Sequence, residues 1–181
     1  NLDQLKIENI KKKKNLKNSL FIIISKSGNT LETLINSNLF KDTINKKNTI
    51  IITEKKTNLL NTFAKNKKIL QINHKDYIGG RYSVLSEVGM IPAYFMGLKK
   101  NYFRKNLLVF FKSKKKTSLT NNVIKLAHIY NYKKINSIIL LNYAPEVNEF
   151  LYWCQQLMAE SLGKKGKGIL PVVSPAPRDH H

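Results

Sequence analysis

Leu20-Phe21-Ile22-Ile23-Ile24-Ser25-Lys26-Ser27-Gly28-Asn29-Thr30-Leu31-Glu32-Thr33 is the stretch from which the rest of the chain can be read. Its first five residues form a continuous apolar run rich in β-branched side chains, the pattern of a strand buried on both faces. A polar turn over residues 25–30 follows at once, and Leu31, Leu34 and Ile35 then begin the spacing of an amphipathic helix. Strand, polar turn and helix make one repeat of a parallel α/β sheet. Such a turn directs several backbone N–H groups and the positive end of a helix dipole at one point. Ser25, Ser27 and Thr30 add hydroxyls and Lys26 adds a charge, so the turn is a candidate cradle for a phosphate monoester. The GxxxxGK[ST] spacing of a Walker A loop is absent. An ordinary helix cap needs only one such hydroxyl, and it is the plainer alternative for the turn taken alone.

The alternation continues along the chain. Residues 49–53 (TIIIT) read as a second buried strand, 56–65 as the helix after it, and 69–72 as a third short strand. After Gly79-Gly80 the pattern predicts a buried, glycine-containing helix over 84–98, then a basic, weakly patterned stretch over 99–117. A helix is expected over 119–130 and a strand over 137–141 (SIILL). Residues 145–162 give the clearest helix, with Val147, Phe150, Leu151, Cys154, Leu157 and Met158 in one apolar stripe, Pro145 in the first turn and Gly163 at the stop. Residues 169–173 read as a last strand, ended by Pro175 and Pro177. The fold class is therefore α/β, a doubly wound parallel sheet with helices on both faces.

Composition narrows the functional classes. The net charge of +21 invites a nucleic-acid reading, but only three of the 32 basic residues, Arg81, Arg104 and Arg178, are arginine. Nucleic-acid surfaces use arginine for bidentate phosphate and base contacts, so the scattered lysines read as solvated surface and no specific nucleic acid is expected. No apolar run approaches the ~20 residues of a membrane span, and no signal-peptide pattern opens the chain, so a cytoplasmic, membrane-free protein is expected. The single Cys154 excludes an internal disulfide and reads as a packed core thiol.

Two further segments carry chemistry. Residues 76–89 (DYIGGRYSVLSEVG) place Gly79-Gly80, where backbone can approach another group closely, just before Arg81 at the mouth of an apolar helix. A fixed guanidinium suits a developing oxyanion, although a turn-capping arginine is the alternative. Residues 155–164 (QQLMAESLGK) put Gln156 and Glu160 four apart on one helix face. A carboxylate there can serve as a general base, although most single glutamates are surface residues. The terminal Asp179-His180-His181 shows no metal-ligand spacing, and no metal is expected.

Asp76, Gly79, Gly80, Arg81, Tyr82, Ser83, Ser86 and Gly89 resemble the signature of the glucose-6-phosphate isomerase family, with Glu87 departing from the small residue or proline usual there. Residues 25–33 are similar to that family's phosphate loop, SK(T/S)xxTxET, and residues 156–164 to its QxxxESxGK helix end. Residues 166–181 (GKGILPVVSPAPRDHH) resemble the strand leading to its catalytic histidine, with His180 in place of the usual glutamine. All four landmarks stand in family order.

The resemblance implies two sugar-isomerase (SIS) domains, each an αβα sandwich, and a homodimer that interconverts glucose 6-phosphate and fructose 6-phosphate without a cofactor. It implies that Ser25, Lys26, Ser27 and Thr30 hold the phosphate, that Glu160 moves a proton between C2 and C1, and that Arg81 stabilises the cis-enediol(ate). Gln156 and Gly80 would meet the substrate, and His181, lent across the dimer, would assist ring opening. It implies most of the first SIS domain over 1–75, the Gly-Gly-Arg crossover with a helical segment over 76–118, and the start of a second SIS domain over 119–181. Family chains run longer on both sides, including a later lysine for ring opening, so a partial chain with little activity of its own is expected. The competing readings are an SIS isomerase that also accepts mannose 6-phosphate, a non-catalytic SIS sensor of sugar phosphates, and a charge-driven nucleic-acid binder.

Overall fold

The structure is a computed structural model that describes residues 2–13, 15–99, 101, 103, 105, 107–112, 114–133 and 135–176. The chain forms two compact units, residues 1–99 and residues 100–181. In the first, helix α1 (Gln4–Lys11) precedes strand β1 (Phe21–Ile24), helix α2 (Leu31–Leu39), strand β2 (Thr49–Thr53), helix α3 (Leu59–Lys67) and strand β3 (Leu70–Asn73). The three strands pair in the order β1-β2-β3, all parallel, with Ile23 opposite Ile51 and Ile52 opposite Ile72.

β2 is buried at all five residues, as a central strand must be when it has a neighbour on each edge. Ile23 and Ile51 point to one face and pack with Leu60 and Ala64 of α3, with Leu34 of α2 and Phe40 at its end against the same cluster. Both crossover helices therefore cover this face, as same-handed βαβ connections dictate. Asn58 starts α3, its Oδ1 accepting from Asn61 N at 2.8 Å. The cap at Asn58 explains why the helix begins there and not at the expected residue 56.

The expected buried helix over 84–98 takes another form. Gly80–Leu85 is a 3-10 segment, Ser86 is extended and caps Val88 N, and helix α4 runs only from Glu87 to Phe95. No residue of α4 is fully buried, and Tyr94, Phe95 and Met96 are exposed. The signature glycine Gly89 has a packing reason, since a Cβ there would stand 2.0 Å from the Val84 carbonyl oxygen.

In the second unit, helices α5 (Leu107–Lys112) and α6 (Lys114–Lys133) precede strand β4 (Ser137–Asn142), helix α7 (Asn148–Leu162) and strand β5 (Leu170–Pro175). The basic stretch read as weakly patterned thus contains helix, which takes in the apolar residues 107–111. β4 and β5 pair in parallel, and Pro175 lies inside β5, opposite Asn142. Pro145 begins a 3-10 turn, Pro145–Val147, rather than the α-helix itself. The α7 stripe is present but only partly covered, and Cys154 is half-buried rather than a packed core thiol. Among the described residues no helix is long and apolar enough to cross a membrane.

Candidate active site

The polar turn sits at the carboxyl end of β1, where open α/β sheets place ligands. Gly28 adopts a φ of +69°, and a Cβ there would meet the Asn58 side chain at 2.1 Å, so glycine is required by both backbone and packing. Buried Ser25 accepts from Gly28 N at 3.1 Å, and its Oγ lies 2.8 Å from Thr30 Oγ1. Ser27 is exposed and accepts from Asn29 N at 3.2 Å. Ser25, Ser27 and Thr30 are thus brought together in one loop.

The two helix N-termini beside this loop are used differently. At α3, Leu59 N donates to Asn29 Oδ1 at 3.0 Å, Leu60 N to the Gly28 carbonyl at 3.1 Å, and Asn61 N to Asn58. The loop itself therefore satisfies the first turn of α3. At α2, Thr30 is the N-cap residue but makes no side-chain cap, its hydroxyl being turned to Ser25. The orphan N–H groups of that first turn are the donors an anion at the loop would meet.

Lys26 stands differently from the hydroxyls. Its Nζ donates to the Asp76 carbonyl at 3.0 Å and the Ile78 carbonyl at 2.8 Å, and it lies 3.4 Å from Glu54 Oε1. Glu54 also pairs with Lys56 at 2.9 Å, and the hydrogen bond from Lys56 is the largest influence holding the Glu54 carboxyl below its ordinary value.

The Gly-Gly-Arg segment follows directly. Tyr82 N donates to the Gly79 carbonyl at 2.9 Å and Ser83 Oγ to the Gly80 carbonyl at 2.6 Å, which closes the 3-10 turn carrying half-buried Arg81. Gly80 is exposed, and a Cβ there would meet nothing within 4 Å. Among the described residues, no contact accounts for that glycine. At the base of the segment, Glu87 Oε1 lies 2.7 Å from Nδ1 of fully buried His74 and accepts from Lys75 N at 3.2 Å. Burial would raise the Glu87 carboxyl, but the bond from His74 and the backbone N–H groups of Glu87 and Lys75 outweigh it and hold it below the ordinary value. The ionised carboxylate can only accept, so Nδ1 is the donor in this pair. Glu87, which departs from the family pattern, thus has a defined task.

In the second unit, α7 presents Gln156 and Glu160 on one exposed face, with Gln156 Nε2 donating to Glu160 Oε1 at 2.9 Å. Gln155, one position earlier, instead donates to the Pro171 carbonyl of β5 at 2.9 Å and ties the helix to its sheet. Buried Asn142 at the end of β4 donates to Asn148 Oδ1 and accepts from Ala144 N at 2.9 Å, fixing the start of α7. His181, with Asp179 and His180, lies outside the described residues. Among the described residues no group of three or more His, Cys, Asp or Glu could hold a metal ion.

Glu54, His74 and Asn142 were not singled out by sequence reading. Only Glu87, as a departure from the resemblance, carried a signal that something at that position differed.

Parallel strands joined by helices, with a hydroxyl-rich turn at the carboxyl end of the first strand, define an open-sheet α/β protein. The fold matches the crystal structure of a hypothetical protein from Thermus thermophilus with a TM-score of 0.84 at 24% identity, over 100% of this chain and 47% of that one. A family model for phosphoglucose isomerase matches residues 1–169, and the chain belongs to that family. The glucose-6-phosphate isomerase of Methanocaldococcus jannaschii is 33% identical over 100% of this chain, which spans 47% of that protein. The glucose-6-phosphate isomerase of Mycoplasmopsis pulmonis is 34% identical over 88% of this chain, spanning 40% of its own length. The chain spans less than half the length of these relatives.

Proposed function

We propose that the protein carrying this chain interconverts glucose 6-phosphate and fructose 6-phosphate, in glycolysis and gluconeogenesis, through a cis-enediol(ate). The observation that carries the reading is the hydroxyl-lined loop over residues 25–30 bonded through Lys26 to the Asp76 and Ile78 carbonyls, immediately before Gly79-Gly80-Arg81, within one unit. Proton transfer beside a carbonyl needs a base and positive charge where the oxyanion develops, and a phosphate anchor positions the sugar for both; the relatives' names agree with this reading.

In this reading Ser25, Ser27, Thr30 and the first turn of α2 hold the phosphate, whose binding energy positions the reacting carbons. Open space at Gly80 admits the substrate close to the backbone, and Arg81 stabilises the oxyanion. Glu160 is the base that carries the proton between C2 and C1, and Gln156, bonded to it, orients substrate and carboxylate. His181 assists ring opening from a second copy in a homodimer. No cofactor enters this scheme. The two SIS domains, with 1–75, 76–118 and 119–181 as their parts, and a cytoplasmic location belong to the same proposal.

Isomerisation run in deuterium oxide tests the proton-transfer mechanism. Solvent deuterium should enter the sugar at C1 or C2 during turnover. Turnover with no deuterium uptake would point to hydride transfer and remove Glu160 from its role.

A further inference from the structure

The part Lys26 plays is set by what its ammonium touches. A lysine ammonium has three donors and no acceptor. Here two of them reach the Ile78 carbonyl at 2.8 Å and the Asp76 carbonyl at 3.0 Å, and the Glu54 carboxylate stands at 3.4 Å. Its charge is answered on the spot by a glutamate that is 7% exposed. A phosphate reaching this ammonium would displace backbone carbonyls and sit beside a like charge. The Lys26 carbonyl meanwhile accepts from Glu54 N at 3.1 Å and Thr53 Oγ1 at 3.3 Å. The residue therefore binds the end of β2 with its backbone and the segment leaving β3 with its side chain.

Beyond Ile78 the chain is tightly bonded to itself. The Gly79 and Gly80 carbonyls accept from Tyr82 N and Ser83 Oγ, and Ser86 Oγ donates to the Ser83 carbonyl at 2.6 Å. Glu87 closes the base of this piece on His74 and Lys75 N. These two anchors, Lys26 in front and Glu87 behind, flank the segment that carries Arg81.

Resting on the isomerase reading above, we propose that Lys26 is a positioning residue for Arg81 and not a ligand of the substrate phosphate. The phosphate loop and the Gly-Gly-Arg segment then act as one rigid piece, and Lys26 is the pin between them. Lys26→Met keeps the stem and removes the donors. The expected result is a fall in kcat of about 100-fold, the scale of a 1 Å misplacement of a reacting group. The inhibition constant of inorganic phosphate should move less than about three-fold, whereas Thr30→Ala should raise it. Lys26→Arg keeps the charge and suits a phosphate at least as well, yet a planar fork cannot replace a point donor between two carbonyls, so kcat should still fall about ten-fold. Amide hydrogen exchange over residues 76–82 in Lys26→Met should rise about ten-fold or more, a readout independent of turnover. A ten-fold weaker phosphate affinity in Lys26→Met with kcat retained, full activity in Lys26→Arg, or unchanged exchange would each overturn the pin. Failure of the unmutated protein to isomerise the sugar would strike the isomerase reading instead, and the exchange result would still decide the pin.

Discussion

Ile51 and Ile139 sit in the middle of apolar runs that look alike in sequence, yet Ile51 is fully buried and Ile139 is 65% exposed. The difference lies in their neighbours. β2 has a strand on each edge and two helices on one face, whereas β4 pairs, among the described residues, with β5 alone. The helices repeat the contrast: Leu60 and Ala64 of α3 are fully buried, while Leu119, Val123, Ile124 and Leu126 of α6 are exposed. An apolar run defines a strand locally, but its burial is decided by how many elements come to cover it. The residues proposed to hold phosphate and oxyanion stand on the unit with the closed core, where a loop can be held rigidly.

Truncating both isoleucines puts this contrast at most risk. Ile51→Ala should cost the first unit about 2–5 kcal/mol, whereas Ile139→Ala should cost about 0.5 kcal/mol or less. Equal losses in chemical unfolding would mean that the second unit has a core of its own.

Two glycines refine the contrast within the first unit. Gly28→Ala meets both a positive φ and the Asn58 side chain, and should destabilise by about 1–3 kcal/mol. Gly80→Ala meets open space and should leave stability within about 0.5 kcal/mol while lowering turnover, because the methyl occupies substrate space. Thermal melting and activity on the same two proteins separate a glycine needed by the fold from one needed by the ligand.

The smallest effect is the pH dependence of the Glu87 anchor. A carboxyl held below its ordinary value of 4.5 contributes stability that is complete above that value and is lost as pH falls through the lower, folded one. Glu87→Gln should therefore cost about 1 kcal/mol near neutral pH, and the gap to the unmutated protein should close under acid conditions. A gap that widened on acidification would reverse that sign.

The fold of the first unit was largely legible in sequence, because the runs at 20–24 and 49–53 are short, β-branched and bounded by polar turns. The segment after Gly80 was not, since Val84 to Leu98 is apolar apart from Ser86 and Glu87, and periodicity cannot show that Ser86 breaks it. Among the candidate site residues, the hydroxyls were legible because they are contiguous and precede a helix. The Lys26 bonds to Asp76 and Ile78 cross about fifty residues, and the His74–Glu87 pair is made by a tight turn, so neither leaves a mark in local pattern. Exposure of α7 was also hidden, because a stripe predicts a face that can be buried and not what arrives to bury it.

The proposed mechanism stands or falls with Glu160 as the group that moves the proton. Glucose 6-phosphate isomerisation by the full-length protein, with and without Glu160→Gln, measures this directly. Turnover should fall about a thousand-fold, with inorganic phosphate still competing for the loop at residues 25–30. Unchanged turnover would contradict that role and place the base elsewhere.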